Sequence, residues 1–266
     1  MVDDASTDES IEFLKKNFPK IKLIEKITTS GFATSVNLGF KAAYGDLVVL
    51  LNTDVVPQRD FLKFVLPHFE DPRMFAVGCL DASIEGDKIV KRGRGIGSFK
   101  RGFLVHARGE IDKTDTLWVN GGSSVFRRSI WEKLGGFDAL YNPFYWEDVD
   151  LSYRAQKSGY KIVFEPSAVV EHHHEEGSIK RNFTQNQIKR IAYRNQFIFV
   201  WKNITNASFL ISHFFWLPYH VVTSILSGEF NLFVGFVDAL VKLSDVLRRR
   251  EFSVRFFKKT DKEVLQ

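Results

Sequence analysis
The chain has 266 residues, 44% of them hydrophobic and 26% charged, with a formal net charge of +5. That composition excludes a disordered chain and leaves room for one large domain or a domain with an appendage. Cys79 is the only cysteine, which excludes an intrachain disulfide and a thiolate zinc cluster.

The opening residues, Met1-Val2-Asp3-Asp4-Ala5-Ser6-Thr7-Asp8, are acidic and lack the basic and apolar segments of a secretory leader. Residues 9–17 predict a helix and Ile21 to Ile24 a strand. A second helix is expected from Ala33 to Tyr44. Gly31-Phe32-Ala33 opens it, and such a glycine-containing start is either a plain loop-to-helix turn or a receptor for phosphate. The apolar run Leu47-Val48-Val49-Leu50-Leu51 reads as a buried strand. Asn52-Thr53-Asp54 follows it, at the carboxyl end where open α/β sheets bind ligands, although an Asx turn into Pro57 has the same sequence.

A helix near residues 59–70 and a strand at 75–80 come next. Residues 81–116 are rich in Gly, Lys and Arg and predict hairpins and loops that cover a site. Leu117-Trp118-Val119 and Ser123 to Phe126 read as strand around Gly121-Gly122. Helices at 128–134 and 147–158 and a strand at 160–165 complete the core. Repeated strand–helix units predict an α/β fold with a mostly parallel sheet covered on both faces.

The densest chemistry lies at Tyr145-Trp146-Glu147-Asp148-Val149-Asp150-Leu151. Glu147 and Asp148 fall in a first helical turn, where the helix dipole favours an ionised carboxylate. A positioned carboxylate there is either an N-terminal capping group or a general base. Trp146 beside it either stacks on a sugar face or anchors the core. Glu171-His172-His173-His174 suggests metal binding or a solvated loop; in an extended segment His172 and His174 would share a face. There is no His-Glu-x-x-His helix of a zinc hydrolase and no Gly-x-Gly-x-x-Gly turn of a dinucleotide-dependent oxidoreductase.

Taken in order, these segments resemble the family 2 glycosyltransferases of the GT-A fold. The residues that carry the resemblance are Asp3-Asp4-Ala5-Ser6-Thr7-Asp8, Gly31-Phe32-Ala33 with Asn37-Leu38-Gly39, Gly45-Asp46, and Asn52-Thr53-Asp54. Asn120-Gly121-Gly122, Gly135-Gly136-Phe137-Asp138 and Glu147-Asp148-Val149-Asp150-Leu151 with Arg154 and Gly159 continue it. The likeness covers roughly residues 1–180 and is nearest to the branch that builds bacterial surface polysaccharides, rhamnosyltransferases included. The family pattern usually opens with a further strand and helix before the Asp-Asp motif. By that comparison the chain starts inside the second strand, and a non-catalytic, membrane-associated remnant or fragment is the alternative reading.

The resemblance implies an inverting, metal-dependent transfer from a nucleotide-diphosphate sugar to a glycan or lipid-linked acceptor. Asp148 would be the base, and Trp146 and Glu147 would meet the acceptor. Asp3, Asp4, Gly31, Asn37, Asn52 and Asp54 would hold the donor. Asp54 with His172, or His174 in its place, would bind Mg²⁺ or Mn²⁺, which favour oxygen ligands, Mn²⁺ also taking imidazole.

Residues 189–266 hold 12 Lys and Arg against 6 Asp and Glu, so residues 1–188 are close to neutral. The basic region brings no nucleic-acid motif, and no nucleic-acid partner is expected. It does contain apolar windows at 207–226 and 230–243. The expected organisation is therefore a catalytic domain at 1–188 and a helical, basic, membrane-associating region at 189–266. That region would rest on an anionic surface at the cytoplasmic face of the cell membrane, unless its helices simply pack on the catalytic domain.

Overall fold
The computed structural model describes residues 1–173 and 178–265. The chain opens with two short parallel strands, β1 (Val2–Asp3) and β2 (Ile24–Glu25), joined through helix α1 (Ser10–Asn17). Helix α2 (Phe32–Ala42) leads to β3 (Leu47–Leu51), β4 (Val55–Pro57) and helix α3 (Phe61–Val65), which tightens into a 3₁₀ turn over Leu66–Glu70. Then come β5 (Met74–Glu85), β6 (Lys88–Arg92), the hairpin β7 (Gly95–Lys100) and β8 (Phe103–Arg108), and β9 (Ser123–Arg127). Helices α4 (Arg128–Leu134) and α5 (Glu147–Lys157) precede the last strand, β10 (Lys161–His173).

The main sheet has the order β3-β9-β5-β10-β4, with β6 added beside β5. Only β5 and β10 run parallel in it; β3–β9, β9–β5, β10–β4 and β5–β6 are antiparallel. The excess of parallel pairing expected from the strand–helix alternation is not found in this sheet. Residues 86–122 return through hairpins and irregular chain instead of a crossover helix, so β9 enters against both its neighbours. Leu117-Trp118-Val119 is not a strand either. It is buried irregular chain held by single bonds, Leu117 N–H to Gly95 O at 2.8 Å and Val119 N–H to Ser152 Oγ at 3.2 Å.

Both faces of the sheet are covered. On one, Phe40 of α2 stacks on Trp131 of α4 at 3.6 Å between ring centroids, over Phe75 and Phe126 of the sheet. On the other, Phe61, Val65 and Phe69 pack on Val77, Cys79, Val125 and Val170. A third core joins Trp146, Val149 and Tyr153 to Phe103 and Leu104 of β8 and to Phe197, Ile198, Phe199 and Val200.

Those last four residues lie in α7 (Gln185–Asn203), which follows the short α6 (Ser178–Asn182). The expected boundary at residue 188 therefore crosses a shared core. Two buried ionic hubs reinforce that sharing. Asp150 of α5 accepts hydrogen bonds from Arg154 Nε at 2.8 Å, Tyr141 Oη at 2.9 Å, Asn203 Nδ2 at 2.8 Å and Lys202 Nζ at 2.9 Å. Asp261, at the start of α11 (Asp261–Val264), accepts from Lys157 Nζ at 2.5 Å, Tyr153 Oη at 2.6 Å and the backbone N–H of Thr205 at 2.7 Å.

Three more helices fill the C-terminal part: α8 (Ala207–Leu226), α9 (Asn231–Val241) and α10 (Leu243–Val254). Among the described residues, α8 is the one helix long and apolar enough to cross a membrane, and it is mostly unburied. One side of it rests on the β7–β8 hairpin, where His213 bonds Gly102 O at 2.7 Å and His220 bonds Arg101 O at 2.8 Å. Phe214, Phe215, Tyr219, Val222 and Leu226 remain exposed.

Replacing Asp261 by Ala leaves Lys157 buried without its acid, and loss of one partner of a buried pair costs about 3–5 kcal/mol. Urea unfolding should show that loss for Asp261→Ala and little change for Asp245→Ala, which breaks only the exposed pair with Arg248. Equal, small effects would mean that α11 is not a structural anchor.

Candidate functional site
Strand β3 ends at Leu51 and delivers Asn52 and Asp54 to its carboxyl edge. Asn52 N–H donates to Gly122 O at 2.9 Å, and its amide lies on Gly122: a Cβ there would sit 2.5 Å from Asn52 Nδ2. A side chain at residue 122 would push the Asn52 amide aside. On the neighbouring residue, Gly121 N–H donates to Asp148 Oδ2 at 3.3 Å. The Asn120–Gly122 loop thus lies between Asn52 and Asp148.

Strand β10 brings His172 to the same edge by pairing with Val55 of β4. His172 points inward and His173 outward, the alternation of an extended strand. Asp81 of β5 bonds His172 Nδ1 at 2.8 Å, which turns Nε2 toward Asp54 Oδ2 at 3.3 Å. The Asp81 hydrogen bond raises the His172 pKa; burial opposes this, and the charges of Asp81 and Asp54 add to the rise. His174, the other histidine considered, lies outside the described residues.

The Asp54–His172 pair suits a divalent cation. Ligand oxygens 2.0–2.1 Å from an octahedral ion stand about 3 Å apart, close to the Asp54–His172 separation. Asp81 stands behind the His172 imidazole, where a carboxylate would fix the tautomer of a metal-binding histidine. Among the described residues no third His, Cys, Asp or Glu completes a cage. An all-protein site is not built here, and the remaining ligands would be oxygens of a bound phosphate and water.

Asp148 lies in the first turn of α5 after a strained entry: Tyr145 and Trp146 have φ of +70° and +77°, a region that costs side-chain-bearing residues about 1–3 kcal/mol each. Buried Asn195 of α7 holds that entry, its Nδ2 donating to the carbonyls of Tyr141, Phe144 and Tyr145 at 3.2, 3.0 and 2.8 Å. Burial raises the Asp148 carboxyl above its ordinary range, and N–H donors from Val149 and Gly121 restrain the rise. The full ionisation expected from the helix dipole alone is therefore offset by desolvation. Glu147 is only 6% exposed, and its Oε2 has no hydrogen-bond partner. Burial, then the neighbouring Asp148 and Asp150 charges, push it up to about 8.

Several expected contacts lie elsewhere. Trp146 is a core anchor: it is 7% exposed and packs on Phe199 and His106, so its ring offers no open face for a sugar. Glu147 is likewise too buried in this conformation to meet an acceptor. Asn37 spends its amide on the backbone of Phe137, donating to its carbonyl at 2.7 Å and accepting from its N–H at 3.0 Å. Its role here is to hold the Gly135–Asp138 turn. Gly31, at φ +88°, caps α2, but the anion at that helix end is Asp4, which accepts from Ser30 and Gly31 N–H at 3.1 and 3.2 Å. Burial opposes ionisation of Asp4, yet the Lys26 ammonium and the Ser30 N–H outweigh it and hold its carboxyl low. Asp3 is buried and caps its own turn through Ser6.

Asp81, Asn195 and Lys202 were not anticipated. The available signal was a polar residue interrupting an apolar run: Asp81 after Phe75-Ala76-Val77-Gly78-Cys79-Leu80, and Lys202-Asn203 after Phe197 to Trp201.

Comparison with known proteins shows the family and the fold. The sequence model of glycosyltransferase like family 2 matches residues 1–191. A pre-mycofactocin glycosyltransferase of Mycobacterium tuberculosis is 32% identical over 178 residues, 65% of this chain; the chain spans only 37% of that relative's length. An N-acetylglucosaminyl-diphospho-decaprenol L-rhamnosyltransferase of the same species is 29% identical over 202 residues, 65% of each chain. Among solved structures, GalNAc-T7 with UDP, GalNAc and Mn²⁺ aligns over 76% of this chain and 41% of its own, with a TM-score of 0.59 and 17% identity. That likeness establishes a GT-A glycosyltransferase fold.

The raised Glu147 carboxyl has a consequence for stability. Its folded pKa lies above the ordinary value, so its contribution is complete below about pH 4.5 and is lost as pH rises toward about 8. Urea unfolding of the wild type should weaken by a few kcal/mol across that window. Glu147→Gln, which has no proton to lose, should show a flatter profile and gain on the wild type at pH 8. Parallel profiles for the two proteins would mean that Glu147 reaches water.

Proposed function
This chain belongs to glycosyltransferase like family 2, and from that premise we propose that it transfers a sugar, with inversion, from a nucleotide-diphosphate donor to a glycan or lipid-linked acceptor in surface polysaccharide synthesis. The observation that carries this reading is the meeting of two sets of groups at one loop. The Asp54–His172 pair with Asn52 stands on one side of Asn120–Gly122, and Asp148 on the other.

On the donor side, Asp54 and His172 would hold Mg²⁺ or Mn²⁺, with Asp81 fixing the imidazole. A cation bound there would neutralise the negative charge that develops on the departing diphosphate. A proton and the cation compete for His172 Nε2, because Asp81 and Asp54 favour both. Asn52 would contribute an amide to the ribose or diphosphate. Asp3, Asp4 and Gly31 would shape the base and ribose end through the turns that they hold, and Asn37 through the Gly135–Asp138 turn.

On the acceptor side, Asp148 would take the proton of the acceptor hydroxyl. The acceptor oxygen then forms its bond to the anomeric carbon as the bond from that carbon to the diphosphate oxygen breaks. Attack from the face opposite the leaving group inverts the anomeric centre. The raised carboxyl pKa suits a base, since proton affinity that is too low would leave the hydroxyl unactivated. Glu147 and Trp146 would act indirectly, by fixing the entry to α5.

The exposed aromatic and aliphatic faces of α8 and α9, next to the basic C-terminal charge, support a peripheral site on an anionic membrane at its cytoplasmic side. Helix α8 is held along one side by the β7–β8 hairpin, which favours an interfacial over a spanning placement.

Calorimetry with UDP or GDP and Mn²⁺ tests the donor side: Asp54→Ala should abolish metal-dependent binding, and His172→Ala should weaken it less. Asp148→Asn should keep that binding and lose transfer by at least about 100-fold, the lower range for general-base catalysis. Binding that is indifferent to Mn²⁺ in the unaltered chain would overturn the metal assignment. For the membrane, the chain should float with phosphatidylglycerol vesicles at low salt, and Phe214→Glu with Phe215→Glu should sink. Equal flotation would return α8 to a packed helix.

A further inference from the structure
A groove of about 410 Å³ runs between α7 and α9, lined by Phe183, Gln187, Arg190, Ile191, Arg194, Asp238, Val241 and Lys242. Its volume is that of a small-ligand site. Its chemistry is split: Phe183, Ile191 and Val241 give it apolar walls, and three cations face one carboxylate. Arg190 forks onto Asp238 at 2.5 and 2.8 Å, which satisfies that pair. Arg194 and Lys242 remain in excess, and Lys242 has no ion-pair partner among the described residues. Such a groove selects an anion carried on an apolar body.

The groove also adjoins the entry to α5. Arg194 Nη2 donates to Asn142 O at 2.6 Å, and its Nε donates to Asn195 Oδ1 at 2.9 Å. Asn195 is the residue that holds the carbonyls of Phe144 and Tyr145, four and three positions before Asp148. Phe183, in the groove wall, packs edge-on against Phe144 at 4.9 Å. At the other end, Val241 is 80% exposed and continues with Val237 along the outer face of α9. One end therefore leads to the segment that carries the candidate base, and the other to an open apolar face.

We propose that this groove binds the diphosphate end of a lipid-linked acceptor, with Lys242 and Arg194 on the phosphates and the chain leaving over Val241 and Val237. The inference rests on the reading of the protein as a transferase with such an acceptor. It adds the place where the lipid diphosphate is held and the residues that hold it.

The test uses dodecyl diphosphate, below its micelle concentration, titrated into the full chain with UDP and Mn²⁺ already saturating the donor site. Saturable binding is expected, with Lys242→Glu weakening it at least tenfold while UDP affinity and circular dichroism stay unchanged. Inorganic pyrophosphate and short-chain phosphatidylglycerol should each bind at least tenfold more weakly. Unchanged affinity in Lys242→Glu overturns the proposal. So does competition by UDP, which would assign the probe to the donor site, and so does equal affinity for phosphatidylglycerol, which would make the groove a bilayer contact. Should Lys242→Glu fail to fold, Lys242→Gln removes the same charge without reversing it. If UDP binding proves absent or independent of Mn²⁺, the donor reading fails by itself. The dodecyl diphosphate titration then still decides the groove.

Discussion

The carboxylate of Asp150 is the point on which the arrangement depends. It is fully buried on α5, two residues after Asp148, and burial alone would neutralise it. Arg154 and Lys202 outweigh that penalty and hold the carboxyl down to about 2. Lys202 comes from α7, and it also reaches Asp138 Oδ2 at 2.6 Å in the turn before α5. One ammonium thus fixes the helix, the turn and the C-terminal segment to one another. A buried pair of this kind adds little net stability over an apolar packing, but losing one member strands a charge. Its effect is to make the position of α5, and with it Asp148, inseparable from α7.

Three carboxylates in four positions consequently have three environments. Asp150 is paired with cations and is ionised. Glu147 is buried with an unpartnered oxygen and is neutral well above the ordinary carboxyl range. Asp148, between them, is partly buried, raised by desolvation and restrained by two backbone N–H donors. A neutral Glu147 spares Asp148 an adjacent negative charge, and the raised proton affinity of Asp148 then comes from desolvation. Composition alone gives no hint of this division, since the three side chains differ by at most one methylene.

The sequence made much of the fold legible. Strand β3 stands where the Leu47–Leu51 run predicts it, and α5 spans all but the last residue of its predicted extent, because short apolar runs and glycine-terminated helices are local signals. Pairing direction was not local: β9 reads as a strand from Ser123 to Phe126, but its antiparallel entry follows from the hairpins before it. The candidate site was legible as a set of residue types: Asp54 and His172 meet at one edge of the sheet, and Asp148 accepts from Gly121 N–H in the loop that Asn52 also bonds. What the sequence could not separate was a polar group that faces a ligand from one that completes the backbone. Asn37 and Asp4 sit in the motifs that suggest donor contact, yet their side chains bind the N–H and C=O groups of neighbouring turns. The C-terminal segment posed the same difficulty in reverse. The expected membrane-associating region, 189–266, includes Phe197–Val200, which are core, while Phe214 and Phe215 in its first apolar window are exposed.

Helix α7 braces the segment that carries Asp148. Lys202 near its end holds Asp150, Asn195 at its middle holds the strained Tyr145–Trp146 entry, and Arg194 and Arg190 open onto the groove with α9. A rigid helix links these points because its buried turns leave it little freedom to deform. The positive φ angles at Tyr145 and Trp146 need such a brace: without Asn195, the three carbonyls it bonds would lose their donor and the strain would relax into a different entry to α5. On the proposed reading, an acceptor phosphate at Lys242 and Arg194 would bear on the same helix that sets the direction of Asp148. Acceptor binding and base placement would then be coupled through one element, at no cost in rearrangement of the Asp54–His172 edge, which is held independently by β3, β5 and β10.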